Sequence, residues 1–164
     1  MGMNILILCT GNSARSVMAE AILNRRGKGR FKAYSAGSKP AGAVNPVGAK
    51  LLAAKGHDTA QYRSKSWDEF AGADAPKMDA VITVCDNAAG ETCPLWPGTP
   101  VRTHWGFPDP AAVEGSEAQK LAAFEEIYGA IDAYVEKFVS LPVEKMDAVT
   151  LKAAMQTIDA EARG

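Results

Sequence analysis

Ile5-Leu6-Ile7-Leu8-Cys9-Thr10-Gly11-Asn12-Ser13-Ala14-Arg15-Ser16 is the stretch from which the fold is read. The four leading apolar residues are too few for a globular helix and suit a strand buried on both faces of a parallel sheet. Cys9 then sits at the carboxyl end of that strand. Open α/β sheets bind ligands at this edge, where a tight turn feeds the next helix and gathers backbone N–H groups around one centre. Gly11 and Asn12 tolerate the positive φ angles such a turn needs. Arg15 supplies a planar cationic fork for two oxygens of a phosphate-like anion, and Ser16 adds a hydroxyl at the helix start. The same field is expected to lower the Cys9 pKa and leave a resting thiolate, a nucleophile toward whatever the loop holds. A buried structural cysteine followed by a surface arginine is the plain alternative; the placement between strand and helix argues against it. No Gly-Lys-Ser/Thr follows, so this is not a nucleotide P-loop, and there is no dinucleotide Gly-x-Gly-x-x-Gly turn.

The 164 residues suit a single domain with a sizeable core. A hydrophobic share of 47%, a charged share of 23% and a formal net charge of -1 describe a globular chain with no general attraction to nucleic acid or anionic membranes. No run reads as a signal peptide or a membrane span, so the cytoplasm is the expected location. Three cysteines in a reducing compartment leave redox work, metal binding or packing as their uses.

Working outward from the loop, residues 17–26 carry an apolar face and are stopped by Gly27. Residues 31–35 read as a second strand. Asn45-Pro46 is an N-cap and first-turn proline for a helix reaching residue 55. Residues 58–77 are irregular and polar enough to lie outside the sheet. Residues 80–84 and 101–105 are the third and fourth strands. Ser116-x-x-Gln119 has the form of a capping box, opening a helix whose stripe Leu121, Phe124, Tyr128, Ile131, Val135 and Phe138 reads as core. After Pro142 a second amphipathic piece carries Leu151, Ala154, Met155 and Ile158 on one side. Alternating strands and helices predict a three-layer α/β sandwich, a mostly parallel four-stranded sheet with helices on both faces. The domain spans 1–164, with a core to about residue 140 and a C-terminal helical extension over 143–164.

Cys85 follows the third strand as Cys9 follows the first, so parallel strands bring both to one sheet edge. Cys93 lies on a small, polar, Gly-containing segment. A nucleophilic cysteine within reach of a second, with a third nearby, has the parts of a thiol relay. Zinc, with His57 or His104 as a fourth ligand, is the weaker alternative because no Cys-x-x-Cys is present, and an inert core Cys85 is another. Asp109, in His104-Trp105-Gly106-Phe107-Pro108-Asp109-Pro110, is by itself an ordinary turn or cap residue. Beside a bound oxyanion its carboxyl would be biased toward the protonated form and would serve as general acid.

These motifs together resemble the arsenate reductases of the low-molecular-weight protein tyrosine phosphatase superfamily, over about residues 4–140. The resemblance implies Cys9 as the nucleophile toward arsenic, and Thr10, Gly11, Asn12, Ser13, Ala14, Arg15 and Ser16 as the oxyanion loop, with phosphate or sulfate as analogues of arsenate. It implies Asp109 as proton donor, Cys85 as the thiol that attacks Cys9 and releases arsenite, and Cys93 as the thiol that leaves a Cys85–Cys93 disulfide for thioredoxin. Glutathione with glutaredoxin is the other donor class. The function implied is arsenic detoxification by an oxidoreductase with no tightly bound cofactor; a phosphatase working through a Cys9 phosphoenzyme is the alternative. Some members bind potassium near the loop, and Asn12, Glu20 and Ser35 match three of its ligands, with Trp67 near the place of the family's aspartate. Ala14 and Ala111 stand where phosphatases of the superfamily have a cysteine and a tyrosine, which favours the reductase. The Cys85 to Cys93 spacing is one residue longer than is usual in thioredoxin-linked members.

Overall fold

The computed structural model describes residues 2–85 and 100–163. Cys93 lies outside the described residues. Four strands form one parallel sheet: β1 (Met3–Leu8), β2 (Phe31–Ala36), β3 (Ala80–Thr83) and β4 (Val101–His104), in the order β2-β1-β3-β4. The apolar run therefore lies at the centre, paired on both sides, with Leu8 opposite Ala36 on β2 and Thr83 on β3. Its alternation divides the core in two, as a strand's period of two requires. Ile5 and Ile7 join the large cluster with the helices, whereas Leu6 and Leu8 pack with Val81, Phe70 and Met78. The second face is thus closed in part by the short 3₁₀ turn Trp67–Phe70.

The first two helices are α1 (Arg15–Gly27) and α2 (Pro46–Ala54), and the last two are α3 (Glu117–Val139) and α4 (Ala148–Arg163). Helix α1 starts two residues earlier than its apolar periodicity, because Arg15 and Ser16 are polar residues used by the loop. Gly27 is its last residue rather than a cap: a Cβ there would come within 3.0 Å of Phe31. Lys28 takes the left-handed conformation at φ 48°. Asn45 caps α2 by accepting from the Val47 and Gly48 N–H groups, and Ser116 and Gln119 close the reciprocal box on α3.

Helix α4 folds back and buries Leu151, Met155 and Ile158 in the main core. Polar ties fix it to the segment after β4. Trp105 Nε1 donates to Met155 O at 3.0 Å and Arg163 donates to Gly106 O at 2.8 Å. Tyr134, whose ring meets those of Trp105 and Phe107, donates to Asp159, and burial together with that carboxylate raises its pKa to about 12. No helix among the described residues is long and apolar enough to cross a membrane.

Met155 is completely buried, so Met155→Ala is expected to cost about 2–5 kcal/mol. Urea unfolding checks this. An unchanged midpoint would mean that α4 is not part of the cooperative core.

Candidate active site

The residues after β1 form a cup whose carbonyls are tied outward. Thr10 O accepts from Lys39 N, Gly11 O from Ala41 N and from Ser64 Oγ, and Ser13 O from Asn45 N, at 2.8–3.1 Å. In a trans peptide the N–H opposes the C=O, so the N–H groups of Gly11 and Ala14 are turned the other way. That of Gly11 bonds the Cys9 thiol. Gly37, just past β2, permits the wrapping: a Cβ there would meet Thr10 O and Cys9 O inside contact distance. Its glycine identity follows from this approach.

Asn12 is the keystone of the turn. It is fully buried at φ 44°. Its Nδ2 donates to Ser16 Oγ at 2.8 Å and Ser35 Oγ at 2.9 Å, and its Oδ1 accepts from Lys65 N at 2.9 Å. Ser16 is itself completely buried, so in the described arrangement its hydroxyl braces the loop from beneath. Arg15 donates through Nη1 to Phe107 O at 2.9 Å, and its Nη2 lies 3.8 Å from Asp109 Oδ2. Asp109 therefore does two things: Oδ1 caps the turn Pro110–Ala112 by accepting from Ala111 N, while Oδ2 faces the loop arginine.

Cys9 and Cys85 are both buried free thiols, brought together as the parallel strands require. Cys85 Sγ also accepts from Thr10 N at 3.4 Å. The surroundings oppose the expected resting thiolate. The hydrogen bond that the protonated Cys9 thiol gives to Cys85, together with burial, pushes the Cys9 pKa well up, outweighing the opposite pull of Arg15 and the Gly11 N–H. The strand pattern brings the second thiol to the same edge, but only the fold shows that it accepts the proton of Cys9. His57 instead bonds Tyr128 and His104 bonds Thr83, and among the described residues no cluster of three His, Cys, Asp or Glu side chains could hold a metal.

Asn12, Glu20 and Ser35 do lie together, with Ser35 Oγ donating to Glu20 Oε1 at 2.5 Å. As arranged they do not fit an alkali cation, which needs converging oxygen donors. Asn12 turns its amide nitrogen to the cluster and its oxygen is engaged by Lys65 N. The Lys65 ammonium already stands 3.9 Å from Glu20. The cationic residue comes from the irregular segment that lies outside the sheet.

The chain and its fold have counterparts among known proteins. An arsenate reductase of Halalkalibacterium halodurans is 37% identical over 134 residues, covering 82% of this chain and 93% of that protein. The crystal structure of an arsenate reductase from Archaeoglobus fulgidus superposes with a TM-score of 0.65 at 30% identity, covering 84% of this chain and 99% of that one. A thioredoxin-dependent arsenate reductase of Corynebacterium glutamicum shares the fold, with a TM-score of 0.58 at 24% identity over 85% of this chain and 62% of that one. Residues 4–153 match the family model for low molecular weight phosphotyrosine protein phosphatases, and the chain belongs to that family.

Proposed function

We propose that this chain reduces arsenate to arsenite, using Cys9 as nucleophile and Cys85 as the thiol that discharges it. The observation that carries this reading beyond a phosphatase is the second thiol: Cys85 hydrogen-bonds Cys9 and sits at the loop backbone, where a phosphatase has no need of it. Arsenate reductases among the relatives support the same substrate.

In the first step Cys9 Sγ attacks arsenic and the As–O bond breaks. Asp109 gives a proton to the departing hydroxyl, which leaves as water, and the proton lost by Cys9 balances it. Arg15 and the inward N–H groups hold the remaining oxygens. Cys85 Sγ then attacks Cys9 Sγ, the electrons of the As–S bond stay on arsenic, and arsenic(V) departs as arsenite with the Cys85 proton. Cys93 attacks Cys85 next, freeing Cys9 as a thiol and leaving a Cys85–Cys93 disulfide. A dithiol protein of the thioredoxin class suits that product, since its own second thiol resolves the mixed disulfide. Glutathione with glutaredoxin would instead intercept the Cys9 adduct.

The raised Cys9 pKa fits a protonated resting pair whose proton is given up on substrate binding. Cys85→Ala removes the largest influence raising that pKa, so the Cys9 thiolate should form at lower pH and react faster with iodoacetamide at neutral pH. A pH profile of alkylation checks it; no downward shift would contradict the thiol pair.

Arsenate-dependent NADPH consumption with thioredoxin and thioredoxin reductase tests the relay. Turnover should vanish in Cys93→Ser and in Cys85→Ser, while Cys85→Ser keeps any turnover of an aryl phosphate. Full arsenate turnover by Cys85→Ser would refute the mechanism.

A further inference from the structure

We propose that Lys65 is the resident cation of the oxyanion loop, a positioning residue that makes the loop's geometry independent of dissolved monovalent cations. The proposal rests on the Cys9 loop being an oxyanion site, not on the reduction that follows.

Lys65 is 8% exposed, an unusual place for an ammonium group. Its Nζ donates to Arg63 O at 3.1 Å and lies 3.9 Å from Glu20 Oε1, itself a nearly buried carboxylate. Burial acts against both charges, raising the Glu20 pKa and lowering that of Lys65, and each partner opposes that drift in the other. Neither charge is stable there alone.

The pair acts on the loop through hydroxyl direction. An ionised Glu20 only accepts, so Ser35 Oγ–H points at it, leaving the Ser35 lone pairs to receive Asn12 Nδ2–H. Asn12 in turn holds Ser16 and keeps its left-handed backbone. The Lys65 backbone closes the circuit: its N–H bonds Asn12 Oδ1, and its carbonyl accepts from Gly37 N at 3.0 Å. A protonated Glu20 would compete as a donor, and the chain of directions from Ser35 to Asn12 would lose its sense. Lys65 prevents this without recruiting an ion.

The test uses inorganic phosphate, read as protection of Cys9 from iodoacetamide, in choline chloride and in potassium chloride at equal ionic strength. Wild-type protein should show the same apparent affinity in both salts. Lys65→Met should weaken phosphate binding about tenfold in choline, since it strands the buried Glu20 charge. Potassium should restore part of that loss, and Glu20→Gln/Lys65→Met, which removes both charges together, should restore most of it. A wild-type affinity that rises in potassium, or a Lys65→Met affinity equal to wild type in choline, would overturn the proposal. Where Lys65→Met does not fold, the double variant decides: binding as weak as the single variant was expected to show would mean that packing, not charge, is what Lys65 supplies. Wild-type protein that binds no phosphate in either salt would remove the oxyanion site itself, a failure distinct from any dependence on cations.

Discussion

Three peptide carbonyls held outward by neighbouring backbone are the constraint on which the loop depends. Lys39, Ala41 and Asn45 lie in the connection between β2 and α2, and their N–H groups fix the carbonyls of Thr10, Gly11 and Ser13. The opposing N–H dipoles of Gly11 and Ala14 are then aligned before any anion arrives, while that of Asn12 is taken by Cys9 O, so reorganisation is settled during folding rather than during binding. The same connection begins at Gly37, where only a hydrogen fits against Cys9 and Thr10. Two adjacent parallel strands thus build one cup, β1 its inside and the exit of β2 its outer wall.

Strand order does comparable work for the sulfurs. With β3 directly beside β1 and in register, the residues leaving the two strands emerge side by side. Cys85 then meets both the Cys9 thiol and the Thr10 N–H. A thiol in this position stabilises its neighbour's protonated form and also waits within reach of that neighbour's sulfur. The resting and reacting roles of the pair follow from one proximity.

The apolar run, the Gly-Asn turn, the arginine and the capping residues Asn45 and Ser116 were legible because each signals through local chemistry: burial on two faces, tolerance of positive φ, or a side-chain oxygen at a helix start. The parallel α/β class was legible from alternation alone. The pairing of β1 with both β2 and β3 was not, since strand adjacency is decided by contacts remote in sequence. Residues 58–77 do lie outside the sheet, as their polarity implies, but that polarity says nothing of what they bury: Lys65 and Phe70 are buried and Ser66 bridges Gly37. A lysine whose carboxylate partner stands 45 positions earlier, at Glu20, leaves no periodic trace. For Cys9 the neighbour was legible, since Cys85 follows the adjacent parallel strand, but not the hydrogen bond between the thiols that sets the direction of its pKa.

The division of labour within Asp109 selects one of its two oxygens. Oδ1 accepts the Ala111 N–H, which leaves Oδ2 as the oxygen facing Arg15. The carboxylate therefore presents one chosen oxygen to the loop. The turn that caps itself with Asp109 also sets the rotation of its carboxyl plane, so the contact with Arg15 inherits its direction from a backbone hydrogen bond. An amide at this position would face the same choice: with its oxygen kept on Ala111 N–H, its NH₂ would be aimed at the guanidinium, donor against donor. Isosteric replacement here would thus reverse the polarity of the contact with Arg15.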